Sequence, residues 1–375
     1  MQRGGAGREF SLSVRPQLCM KNYFLSVNQY FLNGEYKEDK IYPLYIQQIT
    51  CCFELKKDKI PTIQIKGNRF IKENEYLESS EGKLYTLVLT NIDLKLFKEN
   101  YKITEETYEC GWKFKGIQGL FCDYIDKWIK VKIEATKTGN KALRTIAKLM
   151  LNSLYGKFAT SLYVQSKSPF LGEDGIVHYS LGDKEDKKGV YLPIGAFITA
   201  YAREKTIRTS QAIKTYSIEK YGIDKYIYSD TDSIHTLLPI EELKQFCDID
   251  PVRLGAWKHE GTFEKARFVR QKCYLEQFYF PKKYKGKCIK FYKNLQKNCK
   301  NKRNIKLNSF REIKITCAGM PKSCYDFVEW EKFKTGFTCG GKLTFKHVKG
   351  GVILVETDFT IKEEKAKTSI ANFKK

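Results

Sequence analysis

The chain has few of the features that mark common enzyme classes. Its 12 cysteines include no C-x-x-C pair, and its 4 histidines show no ligand spacing, so a zinc site of the usual kind is not expected. Gly-rich loops of the GxGxxG and Walker types are absent, which disfavours a nucleotide-hydrolysing motor. The sequence shows neither a signal peptide nor a long apolar run. We therefore expect no membrane segment, a cytoplasmic location and reduced thiols.

Acidic residues are scarce relative to basic ones. The 375 residues contain 67 Lys and Arg against 43 Asp and Glu, a net charge of +24, and 14% are aromatic. A large basic excess favours a polyanionic partner, and interleaved aromatic rings can stack on bases. A chain that is simply lysine-rich is the alternative, and composition alone does not separate the two. The length predicts two or three domains.

Two acids separated by one residue stand between β-prone apolar segments. The segment KYIYSDTDSIHTLL (225–238) predicts a hairpin with the acids at its tip. In an extended chain residues two apart face the same way, so Asp230 and Asp232 are expected to project together while Thr231 turns aside. Such a pair can hold a divalent cation against nucleotide phosphates. A solvated turn is the alternative, but Tyr228 and the apolar flanks argue against it.

Upstream of the acids, the sequence predicts a helix with two distinct faces. At about 100° per residue, the polar side chains Arg144, Lys148, Asn152 and Tyr155 form one stripe. Cations, an amide and a phenol suit a nucleoside triphosphate, and a plain basic surface helix is the alternative. Thr138 or Asn140 is expected to cap the start, and Gly156 to relax the backbone at the exit. The opposite face is apolar and is expected to pack on the core: Leu143, Ile146, Ala147, Met150, Leu151, Leu154 and Phe158.

These two motifs resemble those of a known family, the protein-primed family B DNA polymerases of phages and linear plasmids. KLMLNSLYG (148–156) resembles the fingers-helix motif of that family, and YSDTDS (228–233) resembles its palm-hairpin motif. Further segments resemble other parts of the family's chain. Residues 60–70 resemble the start of the first insertion, 191–203 a palm helix, and 269–277 the segment with the Lys-x-Tyr signature. Residues 315–322 and 350–362 resemble the thumb. The resemblance therefore covers residues 17–362.

The resemblance implies an α+β fold with a right-hand polymerase palm, formed by an antiparallel sheet with helices, together with fingers helices, a thumb and two family-specific insertions. It implies template-directed addition of deoxynucleotides to a primer 3′-hydroxyl, or to a hydroxyl of a priming protein, by two-metal phosphoryl transfer. The cofactor would be Mg²⁺ or Mn²⁺, and the substrates would be deoxynucleoside triphosphates. The partners would be template–primer DNA and a priming terminal protein, and we expect a monomer.

By the same resemblance, individual residues take roles in that reaction. Asp230 and Asp232 would be catalytic and would hold the metal. The incoming nucleotide would be bound by Arg144, Lys148, Asn152, Tyr155, Lys132 and Tyr228. DNA would be contacted by Lys127, Ser153, Gly156, Thr199, Arg203, Lys272 and Tyr274, the last two at the primer end.

The landmarks predict an order of domains along the chain. Residues 1–36 would be the start of a palm whose reading frame we question. The rest divides into palm (37–63), first insertion (64–118), fingers (119–160), second, hairpin insertion (161–193), palm with the catalytic hairpin (194–317), and thumb with tail (318–375). The lysine-dense segment 281–306 is expected either to follow phosphates or to be a solvated loop.

The chain departs from the family pattern near its start. The family supplies a third carboxylate shortly before a Ser-Leu-Tyr-Pro run, yet this chain has no Asp before Asp39, and counting places the missing residue near Phe10. We hypothesise that the first thirty-odd residues are wholly or partly out of frame, through a sequencing error or a real frameshift. A permissible coding string for 17–32 gives SVMYEKLLP when it is read one base earlier, and its extension resembles the way the family's chain continues after the Ser-Leu-Tyr-Pro run. The nucleotide sequence tests this. We also expect no 3′–5′ exonuclease activity, and a catalytically inactive fragment that binds DNA or the priming protein is the alternative function.

Overall fold

The computed structural model of the protein describes residues 9–13, 24–31, 34–37, 40–65, 75–117, 119, 121–187, 191–250, 253–279, 311–348 and 351–362. Within them the helices are α1 (Asn91–Asn100), α2 (Cys122–Lys137), α3 (Lys141–Phe158), α4 (Leu192–Tyr221) and α5 (Ile240–Leu243), with a 3-10 helix at Lys322–Phe327. None of these helices combines the length and the apolarity needed to cross a membrane. The predicted lysine-dense segment 281–306 lies outside the described residues.

The strands of the described residues fall into three larger sheets and one small one. In chain order they are β1 (Glu9–Ser13), β2 (Phe24–Phe31), β3 (Leu44–Leu55), β4 (Gln64–Ile65), β5 (Glu75–Tyr76), β6 (Tyr85–Thr90), β7 (Tyr101–Ile117), β8 (Tyr163–Leu171), β9 (Val177–Asp186), β10 (Tyr226–Asp230), β11 (Ser233–Thr236), β12 (Lys258–Arg270), β13 (Cys273–Tyr279), β14 (Arg311–Cys317), β15 (Thr338–Val348) and β16 (Gly351–Thr360). The small sheet pairs β4 with β5.

The acids lie in a six-stranded antiparallel sheet of order β10-β11-β1-β12-β13-β14. The 30-residue helix α4 packs against β10 and β11. Its Ile213 is fully buried with Tyr226, Ile234 and Trp257 in the core between the helix and the sheet. This core fixes the carboxylate hairpin on a rigid support. The arrangement agrees with the predicted palm.

A second antiparallel sheet, of order β2-β7-β3-β6, packs on α1. Its core is aromatic, with Phe53 in edge contact with Phe97 and Tyr101 at centroid distances of 5.3 and 5.4 Å. Among the described strands, β3 pairs with β6 and β7, whereas we predicted that 37–63 belongs to the palm. The hydrogen-bond partners of β3 thus come from the range predicted as the first insertion, and the boundary between palm and first insertion stays a prediction.

The third sheet, of order β15-β16-β9-β8, joins two predicted units. The hairpin β8–β9 confirms the hairpin predicted within 161–193, and Val352 and Ile353 of the predicted thumb pair with its β9. A disulfide links Cys324 to Cys339, so the expectation that all thiols are reduced is corrected at this pair. The thumb core continues into the six-stranded sheet through Leu275.

The helices α2 and α3 form an antiparallel pair joined by a short turn. Asn140 caps α3, because its side-chain oxygen accepts a hydrogen bond from the Leu143 N–H at 3.0 Å, as predicted. Gly156 lies inside α3 rather than at its exit. The predicted core face is largely wrong: Ala147 is the one fully buried residue of α3, while Leu143 and Ile146 are 38% and 50% exposed.

Candidate active site

The two acids lie at the turn between β10 and β11. Asp230 ends β10 and pairs with Ser233, so Thr231 and Asp232 alone form the turn. The Asp232 N–H donates to the Asp230 carbonyl oxygen at 2.5 Å. Both carboxylates are half-buried. The hairpin is confirmed, but the expected extended geometry at the tip is wrong, because the backbone reverses at Thr231.

Thr231 has a left-handed backbone conformation, with φ of +53°. This conformation is rare for a β-branched residue and costs on the order of 1–3 kcal/mol. The Thr206 hydroxyl of α4, which is 5% exposed, donates to the Thr231 carbonyl oxygen at 3.0 Å. A buried side chain of the supporting helix therefore holds the strained turn in place. Such strain is often found at functional sites.

We predict that Thr206→Val weakens the hairpin tip while Thr206→Ser does not. Valine removes the hydroxyl and leaves the Thr231 carbonyl without this donor, so the free energy of unfolding is expected to fall by about 1 kcal/mol. Thermal unfolding and primer extension measure the effects on stability and on nucleotide incorporation. Serine keeps the hydroxyl, and a loss in Thr206→Ser without a loss in Thr206→Val would show that the methyl group, not the hydrogen bond, matters.

A second strained turn faces the first. Lys272 stands between β12 and β13 with φ of +55°, and its Nζ lies 3.7 Å from Asp230 Oδ1. Its backbone N–H donates to the Tyr228 hydroxyl at 3.0 Å. The lysine is therefore fixed to the acid through its side chain and to β10 through its backbone. This brings two predicted groups, the acids and the Lys-x-Tyr signature, together.

The two tyrosines predicted for the site are buried beside these turns. Tyr228 and Tyr274 are 5% and 7% exposed. Burial raises the pKa of the Tyr228 phenol above its usual range, and the Asp230 charge adds to this. Burial also raises the pKa of Tyr274 to about 12. Tyr228 is buried, and its hydroxyl accepts a hydrogen bond from the Lys272 N–H. The structure therefore places Tyr228 as a support for Lys272 rather than as the predicted contact to the nucleotide.

One residue near the acids was missed in the sequence. Tyr76 of β5 has a pKa that burial raises, with further effects from the charges of Asp230 and Arg203. Its phenol therefore lies close enough to both groups to sense them. No sequence signal could have found it, because β5 contains two residues and lies about 150 positions before Asp230.

The predicted DNA contacts on α4 make hydrogen bonds inside the protein. The Thr199 hydroxyl donates to the Gly195 and Ala196 carbonyl oxygens of its own helix. Arg203 is 45% exposed and binds both carboxylate oxygens of Asp93, with donor–acceptor distances of 3.0 and 2.7 Å. Arg203 is therefore oriented by an acid of α1, while part of its guanidinium stays accessible.

The basic stripe of α3 is accessible. Arg144, Asn152 and Tyr155 are exposed, and Lys148 is half-buried. Four further site residues were predicted from the sequence on this helical pair. Lys127 is exposed, and the other three are half-buried: Lys132, Ser153 and Gly156.

Helix α4 connects the helical pair to the hairpin. Gly195 packs so closely on Ala159, just past the end of α3, that a Cβ at this position would overlap it. Thr206 of the same helix contacts the hairpin tip. The two contacts are eleven residues apart, about 16 Å along the helix axis. One helix therefore sets the distance between the end of α3 and the acids.

The residues at the tip fit a hard divalent cation only in part. Asp230 and Asp232 offer carboxylate oxygens of the kind that Mg²⁺ binds. Within the described residues, no cluster of three or more His, Cys, Asp or Glu side chains is arranged to hold a metal. The strand β1 lies beside the hairpin, where Ser13 pairs with Ser233 and Phe10 with Thr236. By this register Ser13 stands opposite the residue that follows Asp232, whereas Phe10 stands opposite a residue three positions further along β11.

A carboxylate-tipped hairpin in an antiparallel sheet, supported by a long helix and joined to a helical pair, defines the palm and fingers of a right-hand polymerase. The sequence model of the family described as DNA polymerase type B, organellar and viral, matches residues 18–243, and the chain belongs to this family.

Known relatives agree with the family. The chain is 44% identical over 334 residues to the DNA polymerase of Bacillus phage phi29, covering 88% of this chain and 53% of the relative. It is 33% identical over 338 residues to the DNA polymerase of Streptococcus phage Cp-1, covering 88% and 52%. A solved complex of phi29 DNA polymerase with primer-template DNA and incoming nucleotide substrates matches with a TM-score of 0.75 and 39% identity, over 95% of this chain and 58% of that one. The chain thus spans about half the length of these relatives.

Proposed function

We propose that the protein adds deoxynucleotides to a primer 3′-hydroxyl under the direction of a DNA template. The observation that carries the proposal is the turn at 230–232, where two half-buried carboxylates lie and Lys272 Nζ approaches Asp230 Oδ1 to 3.7 Å. Acids held at a strained turn beside a cation suit phosphoryl transfer, in which positioning and charge stabilisation supply most of the rate. The similarity to phage DNA polymerases supports the same reaction.

Asp230 and Asp232 would hold Mg²⁺ or Mn²⁺. When bound, such ions lower the pKa of the attacking hydroxyl and neutralise charge on the leaving group. The protein residues keep the acids in place through the Thr206 and Lys272 contacts. Lys272 would also place a positive charge beside the primer end.

The exposed stripe of α3 would bind the triphosphate. Arg144 and Lys148 offer cations to the phosphates, and Asn152 and Tyr155 offer an amide and a ring to the sugar and base. Lys132 of α2 would add a further charge. Tyr228 supports Lys272 rather than touching the nucleotide, since it is 5% exposed.

The proposed partners are DNA and a priming protein. The solved relatives include complexes of phi29 DNA polymerase with primer-template and with single-stranded DNA. On this chain we assign DNA contacts on the fingers side to Lys127, Ser153 and Gly156, on the palm helix to Thr199 and Arg203, and at the primer end to Lys272 and Tyr274. Because Tyr274 is 7% exposed, it would act mainly by packing under the primer end. A priming terminal protein would dock on the first insertion, and the protein would act as a monomer in the cytoplasm of a host cell.

Primer extension on a recessed 3′ end tests the proposal. The purified chain is given Mg²⁺ or Mn²⁺, with each deoxynucleotide supplied alone. We expect incorporation of only the nucleotide complementary to the template, and none in the presence of a chelator. Incorporation that ignores the template, or none with either metal, would refute polymerisation by this chain.

A second candidate is a fragment that binds DNA or the priming protein without catalysis. It is favoured by the single observation that β1 carries Ser13, a residue without a carboxylate, opposite Ser233, the residue that follows Asp232. This candidate predicts primer–template binding without incorporation under either metal. Binding and extension assays on one preparation separate the two functions.

A further inference from the structure

A buried histidine–glutamate contact connects the carboxylate hairpin to the strand that follows Lys272. His235 lies on β11, three residues after Asp232, and Glu276 lies on β13. Their atoms Nε2 and Oε1 are 3.0 Å apart, and the two side chains are 2% and 0% exposed. Removing such polar side chains from water carries a desolvation penalty, so a buried pair is weak evidence for a stabilising role.

Three aromatic rings surround the His235 imidazole. The ring centroids of Tyr228, Phe268 and Tyr274 lie 5.7, 5.3 and 5.1 Å from that of the histidine. The hydroxyl of Tyr228 accepts the hydrogen bond from the Lys272 N–H, and Tyr274 is two residues beyond Lys272. The pair therefore lies directly behind the residues that fix Lys272 next to Asp230.

The polar atoms of the pair are incompletely satisfied. Within the described residues, His235 Nδ1 and both carboxylate oxygens of Glu276 lack an aligned hydrogen-bond partner. Lys314 of β14 approaches Glu276 Oε2 to 3.6 Å and Glu260 to 3.5 Å. A core selected for stability alone would place apolar residues here, since partly satisfied polar networks destabilise. The presence of these two polar residues in the core therefore points to a role in the site.

We propose that His235 and Glu276 are positioning residues for the primer end. Their contact fixes Tyr228 and Tyr274 against each other, and the Tyr228 hydroxyl then sets the position of Lys272 relative to Asp230. This inference rests on the proposed function, because it assigns the primer terminus to Lys272.

The test compares loss of charge with loss of stability. Glu276→Gln breaks the pair, whereas the double variant His235→Phe with Glu276→Leu replaces it by apolar side chains of similar size. Glu329→Gln, at an exposed ion pair with Lys332, is the matched control. Thermal unfolding reports stability, and the fluorescence of 2-aminopurine at the primer 3′ terminus, bound to the full chain without nucleotide, reports placement of the primer end.

We expect Glu276→Gln to unfold at a lower temperature, and the double variant to unfold at or above the temperature of the unsubstituted chain. Both are expected to lose the primer-end fluorescence change, with kcat about ten- to a hundredfold lower and the nucleotide KM little changed, because the reacting atoms are misplaced. Glu329→Gln is expected to behave like the unsubstituted chain.

A double variant with normal stability, normal fluorescence change and normal kcat would overturn the proposal and leave the pair a structural feature. If the double variant does not fold, Glu276→Gln is measured well below its unfolding temperature. A normal fluorescence change and a normal kcat in that variant would then overturn the proposal. Absence of any fluorescence change with the unsubstituted chain would instead remove the proposed function, and this inference with it.

Discussion

Replacing Asp232 by asparagine is expected to reduce nucleotide incorporation about a thousandfold, because several kcal/mol of charge stabilisation in the transition state is lost. Asparagine has nearly the same shape and can make the same backbone turn, so the hairpin is expected to persist. Asp230 and Asp232 stand one residue apart, and like charges so close disfavour each other. The unfolding temperature is therefore expected to stay constant or to rise.

The measurement is single-nucleotide extension at saturating primer–template, with DNA binding followed on the same samples. Asp248→Asn is the matched control, because Asp248 is exposed and pairs with Arg253 away from the hairpin turn. Loss of incorporation with unchanged binding assigns Asp232 to the reaction. Equal incorporation by the chain and by Asp232→Asn would show that the acids are idle.

The hairpin could be predicted from the sequence because its signals are local. Alternating apolar residues flank a short polar segment, and the strands β10 and β11 follow that pattern. The conformation of its tip could not be predicted. The left-handed Thr231 is held by Thr206, which lies 25 positions earlier on another element, and no local pattern encodes such a contact.

The helix α3 shows the same division. Its start at Asn140 follows from the chemistry of a cap and was confirmed. The spacing of its apolar residues indicated which face of the helix is apolar, but not which element packs on that face. Ile146 on that face is 50% exposed. Likewise, residues 37–63 were predicted to belong to the palm, whereas their strand β3 pairs with β6 and β7 of the predicted first insertion, because pairing partners are set by tertiary contacts.

Replacing Ser13 by aspartate is expected to raise Mg²⁺-supported incorporation at least about tenfold, since each 1.36 kcal/mol of added transition-state stabilisation is worth that factor. Ser13 pairs with Ser233, which pairs with Asp230. Residues directly opposite in antiparallel strands share a face of the sheet. An acid at 13 would therefore stand on the same face as Asp230, two strand spacings or about 10 Å away.

Two variants test this placement against its alternatives. Ser13→Asn has the same size without the charge, and is expected to give no increase. Phe10→Asp puts the acid where sequence counting placed it, opposite the buried Thr236 and three residues, about 10 Å, back along β1. It is expected to lower stability without raising incorporation, because a charge there has no partner in the turn.

The readout is the Mg²⁺ concentration for half-maximal extension, which is expected to fall for Ser13→Asp alone. A gain with Phe10→Asp and none with Ser13→Asp would show that position 10, given by counting along the sequence, is correct for the third carboxylate, and that position 13, given by the strand register, is wrong.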